Sequence, residues 1–419
     1  MIETLIAIIA LAIIVATANY ALNNKDIHLV VVIALFLVNL LMLAYGFLYI
    51  YIATLSEEQL ADTGIESIQM SNAIGAFVVT LLTVGIASLL LLEPVRRAIS
   101  GWFPRRTEPL TMPDQQSSQS QYTATSQPDL PYNPYAFPAA PSIMLSDEDV
   151  YVVNSAPSFN MSQPSPVSPG GHYAPNPHAA ASVTTSPLQN ELQGFSPQST
   201  MHMVALIYCV YLIGQTIASV ILAGGVAGLN GSIDAGLLLL NFLPQVLIPL
   251  LGVGFLMRRS WSATLKRLGL TNLSWESIIV GVVLAVVLFF FAAIAGGIWS
   301  QVVPEDVYEE QTEASEELAE SIDSIWLVLG IATAAAIGEE IAFRGALQPI
   351  LGLWWTAIIF VVVHAQYTLT PAALIIFVVA LSLGWVRRRY NLYAAITVHF
   401  FYNFIIALLS WVANEMGSM

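Results

Sequence analysis

Glu339, Glu340 and Arg344 stand within six residues of one another in "AAAIGEEIAFRGALQ" (334–348), inside one of the most apolar parts of the chain. An ionisable group at membrane depth costs at least about 2.5–3.5 kcal/mol, so such groups are normally paired or put to use. Two more lie in comparable surroundings: His364 in "FVVVHAQY", and His399 in "ITVHFFYNF", which Asn403 follows four residues later. Helical spacing sorts them. Glu340 and Arg344 are four apart and share a face, as an ion pair would. Glu339 is turned by about 100° and needs partners from another helix. His399 and Asn403 share a face of a second helix, and His364 lies one turn beyond Phe360 on a third. A carboxylate, two imidazoles and a carboxamide on three helices are equipment for activating water. Glu339 can take the proton, and the imidazoles can hold a divalent metal or donate to a developing oxyanion. The same groups could also form a proton relay, and the Glu340–Arg344 pair could be purely structural.

The elements that must position these residues are membrane helices. The 419 residues are 56% hydrophobic and 10% charged, with a mean hydropathy of +0.71, which points to an all-α polytopic membrane protein. Apolar segments long enough for a hydrocarbon core of about 30 Å fall near 4–22, 28–55, 72–94, 201–224, 233–257, 277–299, 324–346, 351–367, 371–387 and 391–412. The expectation is about ten transmembrane helices. The first lacks a basic flank and a clear cleavage site, and is expected to be a retained span. Three regions follow: a three-helix membrane region at 1–98, a linker at 99–200, and a core of about seven helices at 201–419. Sixteen of the 22 prolines lie between 104 and 199. That stretch cannot bury a core and is expected to be a disordered linker, available to a cytoplasmic partner.

Charge supplies the orientation. Apart from Arg344, the basic residues fall at 25, 96–106, 258–267 and 387–389. Ten spans with both termini outside put all twelve on one side, the cytoplasm by the positive-inside rule, together with the linker. The net charge of −15 owes much to nine acidic residues between Glu305 and Asp323. It is a local feature, and no nucleic-acid partner is expected. Cys209 is the sole cysteine, which excludes a disulfide framework and a cysteine metal site. Depth introduces a tension. Counting 1.5 Å per residue from cytoplasmic ends near 346, 351 and 391 puts Glu339 and His399 roughly 10–12 Å in, but His364 roughly 18–20 Å in. Gly345, Pro349 and Gly352 are positions where a helix could break or tilt.

In order and spacing, "EEIAFR" (Glu339, Glu340, Arg344), "FVVVH" (Phe360, His364) and "HFFYN" (His399, Asn403) resemble the EExxxR, FxxxH and HxxxN motifs of the CPBP (Abi) intramembrane proteases. That family includes type II CAAX prenyl endopeptidases and proteins linked to bacteriocin processing and immunity. The resemblance spans roughly 201–412, including "WSATLKRLGLTNLSW" (261–275) before the motif helices. It implies Glu339 as the base, His364 holding the water or metal, and His399 and Asn403 stabilising the oxyanion. Glu340, Arg344 and Phe360 would be supporting residues. It implies a membrane-anchored protein or peptide as substrate and a divalent metal, zinc by ligand type, on Glu339, His364 and His399. Other protease classes fit poorly: there is no HExxH, no GxGD pair, and "LSLG" around Ser382 lacks the Gly-x-Ser of a rhomboid. Two rival functions remain open at this point. One is a proton-coupled transporter, for which no inverted repeat is visible; the other is a non-catalytic immunity or scaffold protein.

Overall fold

A computed structural model describes residues 2–21, 24–60, 67–104, 194–225, 235–364 and 370–417. Apart from its ends, the proline-rich stretch at 99–200 lies outside these residues, as do its apolar pieces "YAFPAAPSIML" and "DVYVVN". Everything described is helix and connection. The principal helices are α1 (Ile2–Tyr20), α2 (Lys25–Ile52), α3 (Met70–Leu90), α4 (Glu93–Ile99), α5 (Thr200–Leu222), α6 (Ala235–Gly252) and α7 (Trp261–Leu268). They continue with α8 (Trp275–Val302), α9 (Glu305–Glu320), α10 (Ile325–Glu339), α11 (Gln348–Val363), α12 (Ala372–Arg389) and α13 (Leu392–Gly417). A π-helical segment, Glu340–Leu347, joins α10 to α11.

Helix starts follow from sequence. Ser199, Ser260, Ser274 and Ser324 cap α5, α7, α8 and α10, each side-chain oxygen accepting from the amide three residues on. Asn24 caps α2 in the same way. Such caps satisfy amides that have no partner inside the helix.

Six helical stretches are long and apolar enough to cross a membrane: Lys25–Ile52, Met70–Leu90, Thr200–Leu222, Trp275–Val302, Ile325–Val363 and Leu392–Met416. The protein is therefore a multi-pass membrane protein. The ten expected segments are distributed differently. Those at 4–22 and 233–257 are shorter apolar helices, Leu5–Tyr20 and Leu238–Gly252. The one at 371–387 is the 18-residue α12, whose last turn carries Arg387, Arg388 and Arg389. Those at 324–346 and 351–367 run as one stretch of 39 residues. At 1.5 Å per residue that stretch would be about 58 Å if straight, nearly twice a hydrocarbon core. It is not straight. Gly352 breaks it at φ 84°, ψ 174°, a backbone conformation essentially restricted to glycine.

Lipid-facing surfaces are legible as stripes. In α8, Ile279, Val283, Val287, Phe290, Ile294 and Ile298 are exposed along one side of a helix that is apolar all round, the pattern of a membrane span. Polar contacts tie the N-terminal helices together. Asn39 of α2 donates to Ser88 of α3 at 2.8 Å and accepts from Tyr211 of α5. Asn19 of α1 donates to the Leu251 carbonyl of α6 at 2.8 Å. Gly214 lets α5 close on Thr83 of α3, since a Cβ there would lie 2.0 Å from the threonine hydroxyl. Small residues and interhelical hydrogen bonds are the usual means of association where lipid is as apolar as leucine.

One apolar core joins α1, α2, α3 and α5 to the π segment, α11 and α12 through Val15, Val31, Met203, Phe343, Ile350 and Phe360, among others. Another joins α8, α12 and α13. Both ends of the 99–200 stretch are built into this body. Trp355 donates to the Trp102 carbonyl at 3.0 Å, the Phe195 amide to the Pro104 carbonyl at 2.9 Å, and Arg96 to the Pro197 carbonyl at 2.8 Å. Aromatic side chains explain this departure from the composition around them: the Phe103 and Phe195 rings lie 4.8 Å apart.

Candidate active site

Glu339 is the last residue of α10 and Glu340 the first of the π segment. A π turn takes one residue more than an α turn; such turns are rare and frequently found at functional sites. Across it, Arg344 donates from Nη1 to Glu340 Oε1 at 2.9 Å, the two side chains being 1% and 0% exposed. Arg344 also donates to the Ala380 carbonyl at 3.3 Å. Its guanidinium carbon lies 4.1 Å from the Phe360 ring centroid, a cation–π contact.

The same Glu340 oxygen accepts from His399 Nδ1 at 2.8 Å. Helical phase assigns Glu340 to Arg344 alone and leaves the histidines to Glu339. The structure adds this contact, because an imidazole edge is wide enough to address both carboxylates. His399 Nε2 lies 3.9 Å from Glu339 Oε2. His364 Nε2 lies 3.7 Å from the same oxygen. Neither gap is a hydrogen bond, and both are in the range that a water can bridge.

Acceptors fix the tautomers. A backbone carbonyl can only accept, so the 2.7 Å contact between His364 Nδ1 and the Phe360 carbonyl requires a proton on Nδ1. Glu340 Oε1, already an acceptor from Arg344, imposes the same on His399. His364 is also the C-terminal residue of α11, with φ −85° and ψ 75°, so helix termination aims this ring. Phe360 therefore serves two neighbours: its carbonyl orients His364, and its ring faces Arg344 and lies 4.4 Å from the His364 ring. Asn403, one turn beyond His399 on α13, lines the same cavity as Glu339, Phe360, His364 and His399. The structure thus brings together every residue singled out from the motifs. The depth tension disappears, since the two histidines lie 3.7 and 3.9 Å from the same Glu339 oxygen.

Two cavities meet here. One, of about 380 Å³, runs from Glu339 along α10 towards its N-terminus, past Ala335 and Ile331 to Ile322 and Ala319. The other, of about 340 Å³, runs the opposite way past Ala342 and Ala346 to Arg258, Arg259 and Arg267. Glu339, His364 and Gln245 line both. Glu339 is 17% exposed and His364 22%, and Glu339 Oε2 accepts no hydrogen bond from a described residue. Gln245 was not anticipated. It lies between Pro244 and Pro249 in α6, and Gly338 admits it, since a Cβ there would meet Gln245 Oε1 at 2.6 Å. Its signal was available: a lone carboxamide between two prolines in an apolar run.

The zinc expectation meets a mixed result. Two imidazoles with Nδ1 held by a carbonyl and a carboxylate have the outer contacts typical of metal ligands. Tetrahedral zinc with bonds of about 2.0–2.2 Å places its ligand atoms about 3.4 Å apart, closer than the 3.7 and 3.9 Å separations here. Among the described residues no three His, Cys, Asp or Glu side chains are arranged to hold an ion. The residues fit in kind and not in spacing, so no step below runs through a metal.

Residues 321–405, about a fifth of the chain, match the family described as type II CAAX prenyl endopeptidase Rce1-like. The match contains Glu339, Glu340, Arg344, Phe360, His364, His399 and Asn403. The C-terminal region is accordingly similar to that family, whose description is of an endopeptidase. No curated protein and no solved structure matches the chain.

Proposed function

We propose that this protein is an intramembrane endopeptidase that cleaves a membrane-anchored protein or peptide by water activation at Glu339. One observation carries the reading: Glu339 Oε2 faces the Nε2 atoms of His364 and His399 where two cavities meet. Glu339 takes a proton from water as the water oxygen attacks the carbonyl carbon. Asn403 and His399 stabilise the oxyanion. The C–N bond breaks as Glu339 returns the proton to the leaving amine. His364, with its Nδ1 proton committed to the Phe360 carbonyl, positions the water. Glu340 and Arg344 hold His399 in place. The basic end of the bundle faces the cytoplasm in this reading. The family's name concerns prenylated substrates, but no feature of the site selects a prenyl group, so the substrate class proposed is the membrane-anchored peptide.

The test is cleavage of membrane-anchored peptides by the purified chain. Glu339→Gln should lower turnover by about 10²–10⁴-fold with the thermal midpoint unchanged, since Oε2 gives up no hydrogen bond to a described residue. Wild-type turnover in that variant would end the proposal. The opposed cavities also favour a second reading, a proton-coupled transporter with Glu339 between two access routes. It requires pH-dependent flux in liposomes, abolished by the same substitution, and no proteolysis.

A further inference from the structure

The cavity on the basic side of Glu339 has features that proteolysis does not use. Its far end is formed by the connection between α6 and α8, which turns sharply at Gly254 (φ 97°) and Leu256 (φ 64°). The amides of Arg258 and Arg259 both donate to the Gly254 carbonyl at 3.0 Å. The Arg258 side chain folds over Gly254 so closely that a Cβ there would lie 2.6 Å from its Cγ and Nε. Arg259 donates to the Val253 carbonyl, and Arg267 to the Gly345 carbonyl at 3.1 Å. Three guanidiniums are thus held at one end of a single cavity. Among the described residues neither Arg258 nor Arg259 forms an ion pair. Burial, and then its neighbour Arg259, push the Arg258 pKa down to about 10, the behaviour of adjacent cations with no anion beside them.

The walls leading from this end are apolar: Leu11 and Val15 of α1, Val204, Tyr208 and Leu212 of α5, and Ile248 of α6. The connection itself exposes Leu256, Trp261, Leu273 and Trp275. Exposed tryptophans and leucines beside arginines mark the interface between hydrocarbon and headgroups. Basic pockets between membrane helices at that level suit anionic headgroups.

We propose that this cavity binds an anionic phospholipid, its phosphate taken by Arg258 and Arg259 and its acyl chain lying along α1 and α5. Arginine suits a phosphate because its planar fork donates two hydrogen bonds at once. Helices α1 and α5, which lie outside the matched family segment, acquire a role in building the pocket.

The experiment measures lipid affinity of the purified full chain in neutral detergent, with phosphatidylglycerol, phosphatidylcholine, inorganic phosphate and an apolar peptide with a free C-terminal carboxylate as probes. Phosphatidylglycerol should bind and raise the thermal midpoint, with phosphatidylcholine and inorganic phosphate much weaker. Arg258→Gln/Arg259→Gln should weaken phosphatidylglycerol binding by about tenfold or more, and Arg258→Lys/Arg259→Lys should retain most of it. Should the double glutamine variant fail to fold, Arg258→Gln alone should still cost several-fold. Undiminished phosphatidylglycerol binding in the glutamine variants would overturn the proposal, as would equal binding of phosphatidylcholine. Inorganic phosphate matching the lipid would reduce the pocket to a bare anion site. Arginine-dependent binding of the peptide without binding of phosphatidylglycerol would reassign the pocket to a substrate carboxylate. Either result overturns the lipid assignment.

Discussion

Replacing Glu340 with leucine should damage stability far more than replacing its neighbour Glu339 with glutamine. Glu340 is fully buried and its Oε1 accepts from both Arg344 and His399. Glu340→Leu leaves the Arg344 guanidinium, 1% exposed, without its carboxylate. Breaking a buried pair by removing one member costs about 3–5 kcal/mol. The stranded His399 Nδ1 proton adds about 1–3 kcal/mol. The sum is a large part of an ordinary total stability of about 5–15 kcal/mol. At roughly 2 °C per kcal/mol, the midpoint should fall by about 8–16 °C. Removing both charges tests the origin of that loss. Glu340→Leu/Arg344→Leu leaves only the histidine proton unpaired, so about 1–3 kcal/mol of the deficit should remain. The assay is thermal unfolding in detergent followed by circular dichroism, with each variant compared at the same protein and detergent concentration. A Glu340→Leu midpoint within 2 °C of wild type would refute this reasoning. So would a double variant no better than the single, because the stranded cation would then not be the source of the cost.

Two further outcomes follow from the geometry. Gly352→Ala puts a side chain where φ is 84° and its Cβ 3.0 Å from Pro104 Cγ; the strain is about 1–3 kcal/mol and should lower the midpoint by a few degrees, with an unchanged midpoint refuting the account of the break. Since the Glu339–histidine separations exceed those of zinc ligands, dialysis against a chelator should leave peptide cleavage intact, and activity lost and then restored by added zinc would overturn that inference.

The motif residues were legible because their neighbours are apolar. A lone Glu or His in such a run must be paired or used, and the three sequence spacings, one per helix, identify which face each occupies. The bridge from His399 to both glutamates was not legible, since it depends on a wider π turn whose onset no residue type announces. Nor was the share of α1 in the cavity wall. Leu11 and Val15 look like any lipid-facing residues, and only tertiary packing turns them inward. Each of the ten expected segments falls on a helix, and six helical stretches are long and apolar enough to cross a membrane. Hydropathy alone joins 325 to 363, yet Gly352, noted as a possible break, is where the backbone leaves the helix.

The cavities on either side of Glu339 bear on traffic as well as chemistry. A hydrolysis makes two fragments from one chain, and in a blind-ended site one must leave before or past the other. Glu339 lines two cavities, and the queue depends on what occupies each of them. With the basic-side cavity holding the lipid proposed above, both fragments of the proposed cleavage would be left with the cavity along α10, and release of the second would wait on the first.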